Sequence, residues 1–182
     1  MIRIEGTRFG VVEVEADAVI HFPNGLIGFP NATRFALLER GPGRMVGFLQ
    51  SLDTPTLAFP VTDASAFAGY PQPPADELAR GVGLPDTDLA MFVIVAAGNK
   101  RALEGNLLAP LLVDVASRRG AQVVLDPRKY SASTCLSAPL GDPLAEVRAR
   151  MEAIKNRPPS EPPAESERTA RTAHKTAIAV GT

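Results

Sequence analysis

The chain has 182 residues, of which 45% are hydrophobic and 21% charged, with a net charge of −1 at pH 7. That length allows one domain with a sizeable core and an appendage, and the composition is that of an ordinary soluble globular protein. The near-neutral balance removes any global electrostatic case for binding nucleic acid or a membrane surface.

Charge is unevenly spread: residues 1–100 hold 7 Lys/Arg against 11 Asp/Glu, while the remainder is net positive. A mildly acidic front half suits a basic partner, and also suits nothing more than a solvated surface. Cys135 stands alone, so no intrachain disulfide forms and a reducing compartment is expected. "MIRIEGTRFG" lacks the continuous apolar core of a signal peptide. The longest apolar stretch, "LAMFVIVAAG", is too short to span a bilayer. A cytoplasmic protein is expected.

In chain order, strands are predicted at 9–15, 18–22, 34–39, 45–52, 56–63, 89–97, 111–116 and 121–126. These segments are short, rich in Val, Phe and Ile, and bounded by Gly, Pro, Asn or Asp. "VVEVE" alternates apolar and charged residues, as a strand with one wet face should. Turn signals fall at "PNG" (23–25), "GPG" (41–43), "DTP" (53–55) and "RRG" (118–120). Regular helix–strand alternation is missing, so the expected fold is mainly β, an antiparallel barrel-like single domain.

Two helices are predicted. A short one lies in 74–83. The second spans 142–155, with Asp142 as N-cap and Pro143 at the first helical position. Its apolar stripe of Leu144, Val147, Met151 and Ile154 either packs on the sheet or docks another protein. From 156 the composition turns Pro-rich and polar with no apolar period, which predicts a disordered tail over 156–182. The organisation expected is a β domain over 1–141, a C-terminal helix over 142–155, and that tail.

A search for chemistry finds no catalytic set. His21 is the one histidine before the tail, in "AVIHF", and Cys135 has no second histidine to pair with. One His and one Cys cannot build the usual zinc site. The glycines of "GNLLAP" and "GPGRMVG" match neither a P-loop nor a dinucleotide fingerprint. Aromatics are 5% with no Trp, so base-stacking platforms for RNA are absent. No catalytic, cofactor or metal residue is therefore expected, and an interaction protein becomes the leading class.

Three stretches in order then carry a resemblance: "IHFPNGLIGFPNATRFALL" (20–38), "FLQSLDTPTLAFPVTDASAF" (48–67) and "EGNLLAPLLVD…AQVVLD…Y" (104–130). The first element is Phe22, Gly25, Leu26, Gly28 and Phe29. The second is Leu49, Gln50, Ser51, Leu57, Ala58 and Phe59. The third is Asn106, Leu107, Ala109, Pro110, Gln122 and Tyr130. Together they resemble the FliW family of flagellar assembly factors over roughly 1–130.

The resemblance implies a compact β-barrel-like fold and a non-enzymatic role. It implies two competing protein partners: CsrA, the carbon storage regulator, a small basic RNA-binding dimer that represses flagellin translation, and flagellin itself. No direct contact with nucleic acid or membrane is implied, and the free chain is expected to be monomeric. The tail after Asn156 lies outside the resemblance. The competing reading is a barrel that binds a small ligand such as a flavin.

Within "GNLLAPLLVD", Pro110 places Ala109 outside a helix and itself at a strand start. Leu111, Val113 and Val115 then share one face, and Leu112, Asp114 and Ala116 the other. The partner-binding candidates are Asn106, Leu107, Leu108, Pro110, Gln50 and Ser51. Asn106 and Pro110 shape a corner over Leu107 and Leu108, or one of those leucines stays outside as a contact. Gln50 and Ser51 are either internal hydrogen bonders or exposed interface polars. Gly25, Gly28 and Gly43 read as backbone devices.

Overall fold

Strand β1 (Ile2–Thr7) pairs antiparallel with β2 (Gly10–Val14), the alternation of apolar and charged residues giving each one inner face. This computed structural model describes residues 1–39, 45–67, 69–85, 88–98, 103–136 and 144–155. The hairpin lays Ile4 and Val14 over Val19 and Ala36 of the main sheet. At its tip, Phe9 meets Phe48 edge-on at 4.9 Å, with Arg8 over both rings.

The main sheet begins with β3 (Val19–His21), β4 (Arg34–Leu38), β5 (Gly47–Ser51), β6 (Ala58–Asp63) and β7 (Leu89–Ala97), each antiparallel to the next. Pro60 precedes the part of β6 that pairs with β7, so its missing donor costs that ladder nothing. The nine-residue β7 then changes partners. Leu89–Phe92 pairs with β9 (Leu111–Asp114), while Val95–Ala97 pairs with β8 (Leu103–Gly105), whose other edge holds β11 (Thr134–Cys135). β9 turns into β10 (Arg119–Gln122), and β10 returns to β3 in parallel through Arg119 and His21. That short seam, with the His21 amide donating to the Arg118 carbonyl at 2.8 Å, closes the sheet into a barrel.

Ile20, Phe22, Phe35, Leu49, Val61, Phe92, Leu111 and Val113 fill the interior. Outside the β7–β9–β10 wall, Met91, Val93, Leu112 and Val123 pack against Phe67, Tyr70, Leu84 and Ala79 of helix α1 (Ala75–Gly81). This double burial explains "LLVDV": the face carrying Leu111, Val113 and Val115 is the barrel core, and Leu112 belongs to the outer cluster. Asp114 is fully buried there, its carboxylate accepting from the Asp88 and Ser117 amides at 2.9 Å each.

Helix α2 (Ala145–Lys155) sits at one mouth of the barrel. Just before it, Leu144 is buried in the interior cluster beside Leu37 and Gly47, and Met151 packs on the same cluster. Arg150 ties the helix to Asp88 (2.8 Å) and the Leu89 carbonyl (2.8 Å), and Arg118 reaches the Met151 carbonyl. Arg150 is therefore an anchor, and not merely part of a solvated face. Asp142, Pro143, the side chains of Val147 and Ile154, and the whole of 156–182 lie outside the described residues.

Most predicted strands appear, several with trimmed ends; the one expected at 121–126 instead runs Arg119–Gln122, beginning inside the "RRG" turn expected at 118–120, and β1, β8 and β11 were not anticipated. Residues 123–126 extend β10 in shape but pair instead with the 108–110 connection: Val123 N–H donates to the Pro110 carbonyl and Leu125 N–H to that of Leu108.

Candidate protein-binding surface

At the mouth opposite α2 lie the C-terminal ends of β3, β5 and β10 and the N-terminal ends of β4, β6 and β9. Each of the three sequence stretches quoted above contributes a loop there. The first forms a tight tongue. Phe22 buries its ring in the core, its carbonyl accepting from Gly25 N–H at 2.8 Å, and Leu26 and Phe29 exchange both backbone hydrogen bonds. Between these two, Gly28 has φ +84, the positive angle required at the third position of a type II turn. Gly25, at φ +63, admits no side chain: a Cβ there would lie 2.4 Å from the Phe29 carbonyl oxygen. The tongue thus buries Leu26 and holds Ile27 (60% exposed) and Phe29 outward.

Three side chains bind this tongue to the other stretches. Gln122 accepts from Ile27 N–H through Oε1 at 2.8 Å and donates from Nε2 to the Ala109 carbonyl at 3.1 Å. Phe59 meets Phe29 edge-on at 5.3 Å. Asp53 accepts from the Thr33 and Arg34 amides, both at 2.8 Å, and from Arg34 Nε at 2.7 Å. Burial pushes the Asp53 carboxyl up, but the Arg34 guanidinium and the two amides outweigh it and hold it below the usual range.

The six partner-binding candidates separate by exposure. Gln50 and Ser51 are fully buried and reach no surface. Gln50 Nε2 donates to the carbonyls of Ser51, Pro55 and Leu57, and Ser51 Oγ accepts from the Asp53 and Thr54 amides. Of the two readings left open, both are internal hydrogen bonders that shape the 52–57 turn. In the third stretch, Leu107 and Pro110 are buried as well. The Leu107 carbonyl accepts from Tyr70 Oη at 3.3 Å, and burial followed by neighbouring Tyr130 pushes the Tyr70 hydroxyl up to about 12. Asn106 Oδ1 accepts from Ala109 N–H, fixing the corner. Asn106 and Leu108 remain half-exposed.

Beside the tongue opens a cleft of about 380 Å³. Asn24 to Gly28 and Pro30 form one wall, Gly120 to Gln122 the floor, and Val82, just past α1, the opposite lip. None of these lining side chains is ionisable. Its rim carries the exposed Ile27 and Val82, while Phe29, also exposed, lies on the same tongue against Phe59. Exposed apolar groups gathered at one concave site mark a docking surface better than scattered ones do.

Ile27 and Val82 were not among the sequence candidates, and Phe29 and Gln122 were named only as positions of the family stretches. The signal for Ile27 was present in "GLIGF", an apolar residue at a glycine-made turn tip. Nothing local marked Val82. His21 is exposed beside the seam, and Cys135 is exposed on β11. Among the described residues no three His, Cys, Asp or Glu side chains group to hold a metal, and no helix is long and apolar enough to cross a membrane. The barrel side chains leave no water-sized space between Ile20, Phe22, Phe92 and Leu111.

A sequence model of the family described as FliW protein matches residues 3–136. The chain belongs to the FliW family. It is similar to the flagellar assembly factor FliW of Heliobacterium modesticaldum, 38% identical over 133 residues, a match covering 71% of this chain and 87% of that protein. With the flagellar assembly factor FliW of Syntrophotalea carbinolica it shares 36% over 135 residues, 72% of this chain and 96% of that one. Its fold is similar to a crystal structure of the flagellar assembly factor FliW, with a TM-score of 0.65 and 26% identity over 76% of this chain and 99% of the other. Each of these relatives is named as a flagellar assembly factor. The matched span runs from β1 to β11 and contains the tongue, Val82 and Gln122, while α2 and everything after it lie beyond.

Proposed function

We propose that this chain is a non-catalytic regulator that binds CsrA, the RNA-binding translational repressor, and so frees flagellin messages for translation in the cytoplasm. Flagellin is the competing partner. Free flagellin occupies the FliW-family chain, CsrA is released, and synthesis of further flagellin stops, a switch governed by mass action.

The observation that carries this reading is the uncharged cleft with its exposed Ile27 and Val82, beside a tongue that also exposes Phe29, at the mouth where all three family stretches meet. A site with no ionisable lining offers no acid, base or nucleophile, but it offers apolar anchors, and such anchors supply most of the energy of protein–protein contacts. Leu108 and Asn106 contribute at its edge. Leu107, Pro110, Gln50 and Ser51 serve binding by holding the loops in shape. The net −4 of residues 1–100 is compatible with attraction to a basic CsrA.

The test is calorimetric titration of the full chain with CsrA from the same organism, repeated after saturation with flagellin. Binding that flagellin abolishes supports the switch. Folded protein that gives heat with neither partner overturns it.

A further inference from the structure

The matched family span stops at residue 136, yet the chain continues through α2 and on through residues 156–182. That extension is Pro-rich and polar except at one place, Ala177-Ile178-Ala179-Val180, where its only branched aliphatic side chains stand two residues apart. The rim across the cleft is a matching apolar feature: Ile27 and Val82 line it and are exposed while their neighbours Leu26 and Leu84 are buried.

We propose that residues 177–180 of this chain dock on the cleft between Ile27 and Val82 and compete there with the protein partner. The proposal rests on reading that rim as the partner-binding surface. Chain length permits it. Helix α2 ends at Lys155, held at the far mouth by Arg150 to Asp88 and by Arg118 to the Met151 carbonyl. Twenty-one residues then precede Ala177, with an extended reach of roughly 70 Å. The barrel wall to be crossed is a few strand residues tall, roughly 15–20 Å.

Covalent linkage gives such a segment an effective concentration on the order of millimolar at a site its linker can span. A motif of about 1 mM intrinsic affinity is then bound about half the time and weakens a competing partner about twofold; one of about 0.1 mM weakens it about tenfold. The extension thereby sets a threshold. A partner must exceed a fixed local competitor before it captures the chain.

The test compares amide and methyl NMR spectra of the full chain with those of the full-length I178S/V180S variant, which leaves the charge unchanged. The proposal expects the Ile27, Gly28 and Val82 signals and the Gln122 side-chain amide to move between the two. A peptide of residues 174–182 added to the variant should move them back. Unchanged signals at those residues overturn it, and so does movement that disappears on dilution of the native chain, because that marks a second copy as the occupant. Partner titration separates the two readings: the variant should bind CsrA or flagellin about two- to tenfold more tightly. Signals that move with no change in partner affinity overturn the competition and place the partner elsewhere, while the tail contact itself stands.

Discussion

Ile27 and Gln122 are 95 positions apart in sequence, and the Ile27 amide donates to Gln122 Oε1 at 2.8 Å. The same side chain donates on to the Ala109 carbonyl, so one glutamine fixes the tongue against the corner that precedes β9. Gln122→Ala is expected to cost about 1 kcal/mol of stability. Because the rim is then less well held before binding, partner affinity should fall by up to about tenfold. Urea unfolding and partner titration of the same sample measure both effects.

Gly25 and Gly28 both have positive φ, but their surroundings differ. A methyl group at Gly25 runs into the Phe29 and Pro30 carbonyls, whereas nothing stands within 4 Å of one at Gly28. Gly25→Ala should therefore destabilise by about 3 kcal/mol or more and disorder the tongue, and Gly28→Ala by only about 1–2 kcal/mol, the left-handed cost alone. Equal losses in denaturant unfolding would show that the carbonyl contact does not matter.

The Asp53 cluster predicts a pH effect of definite sign. Burial raises its pKa, the Arg34 and Thr33 contacts lower it further than that, and the folded value lies below the reference of 3.8. The resulting stability is present above the unfolded pKa and lost as pH falls through the folded one. The stability gap between the native chain and Asp53→Asn should therefore be open at pH 7 and narrow below about pH 4. A gap that persists to pH 2.5 would assign the effect to packing instead.

Leu144 offers a separation of roles. It is fully buried at the mouth opposite the cleft. Leu144→Ala should cost about 2–5 kcal/mol, yet leave partner affinity unchanged at a temperature where the protein stays folded. Loss of binding in that folded variant would tie α2 to the partner site.

Much of this was legible in the sequence. Short strands bounded by turn residues gave the β architecture, and Leu144 and Met151 pack on the barrel, the first of the two readings the helical stripe allowed. Strand β1 escaped because Ile2 and Ile4 form a strand only with their partners on β2, and β8 is three residues that borrow their order from β7. Gln50 and Ser51 stayed open between internal and exposed roles because a sequence does not reveal that three carbonyls of one turn converge on a buried amide. Val82 reaches the cleft that Gly120 to Gln122 also line only because α1 packs on β7, a long-range relationship with no local periodicity. The residues of the cleft rim were hardest to find for a general reason: exposure depends on the whole fold, while burial follows local pattern.

The most direct test is Ile27→Asp in the full chain. Its side chain is 60% exposed, so the melting temperature should match that of the native protein. The account predicts that affinity for CsrA and for flagellin falls about thirtyfold or more, as loss of a central apolar anchor requires. Native affinity for both partners in the folded variant would contradict it and move the binding surface away from the cleft.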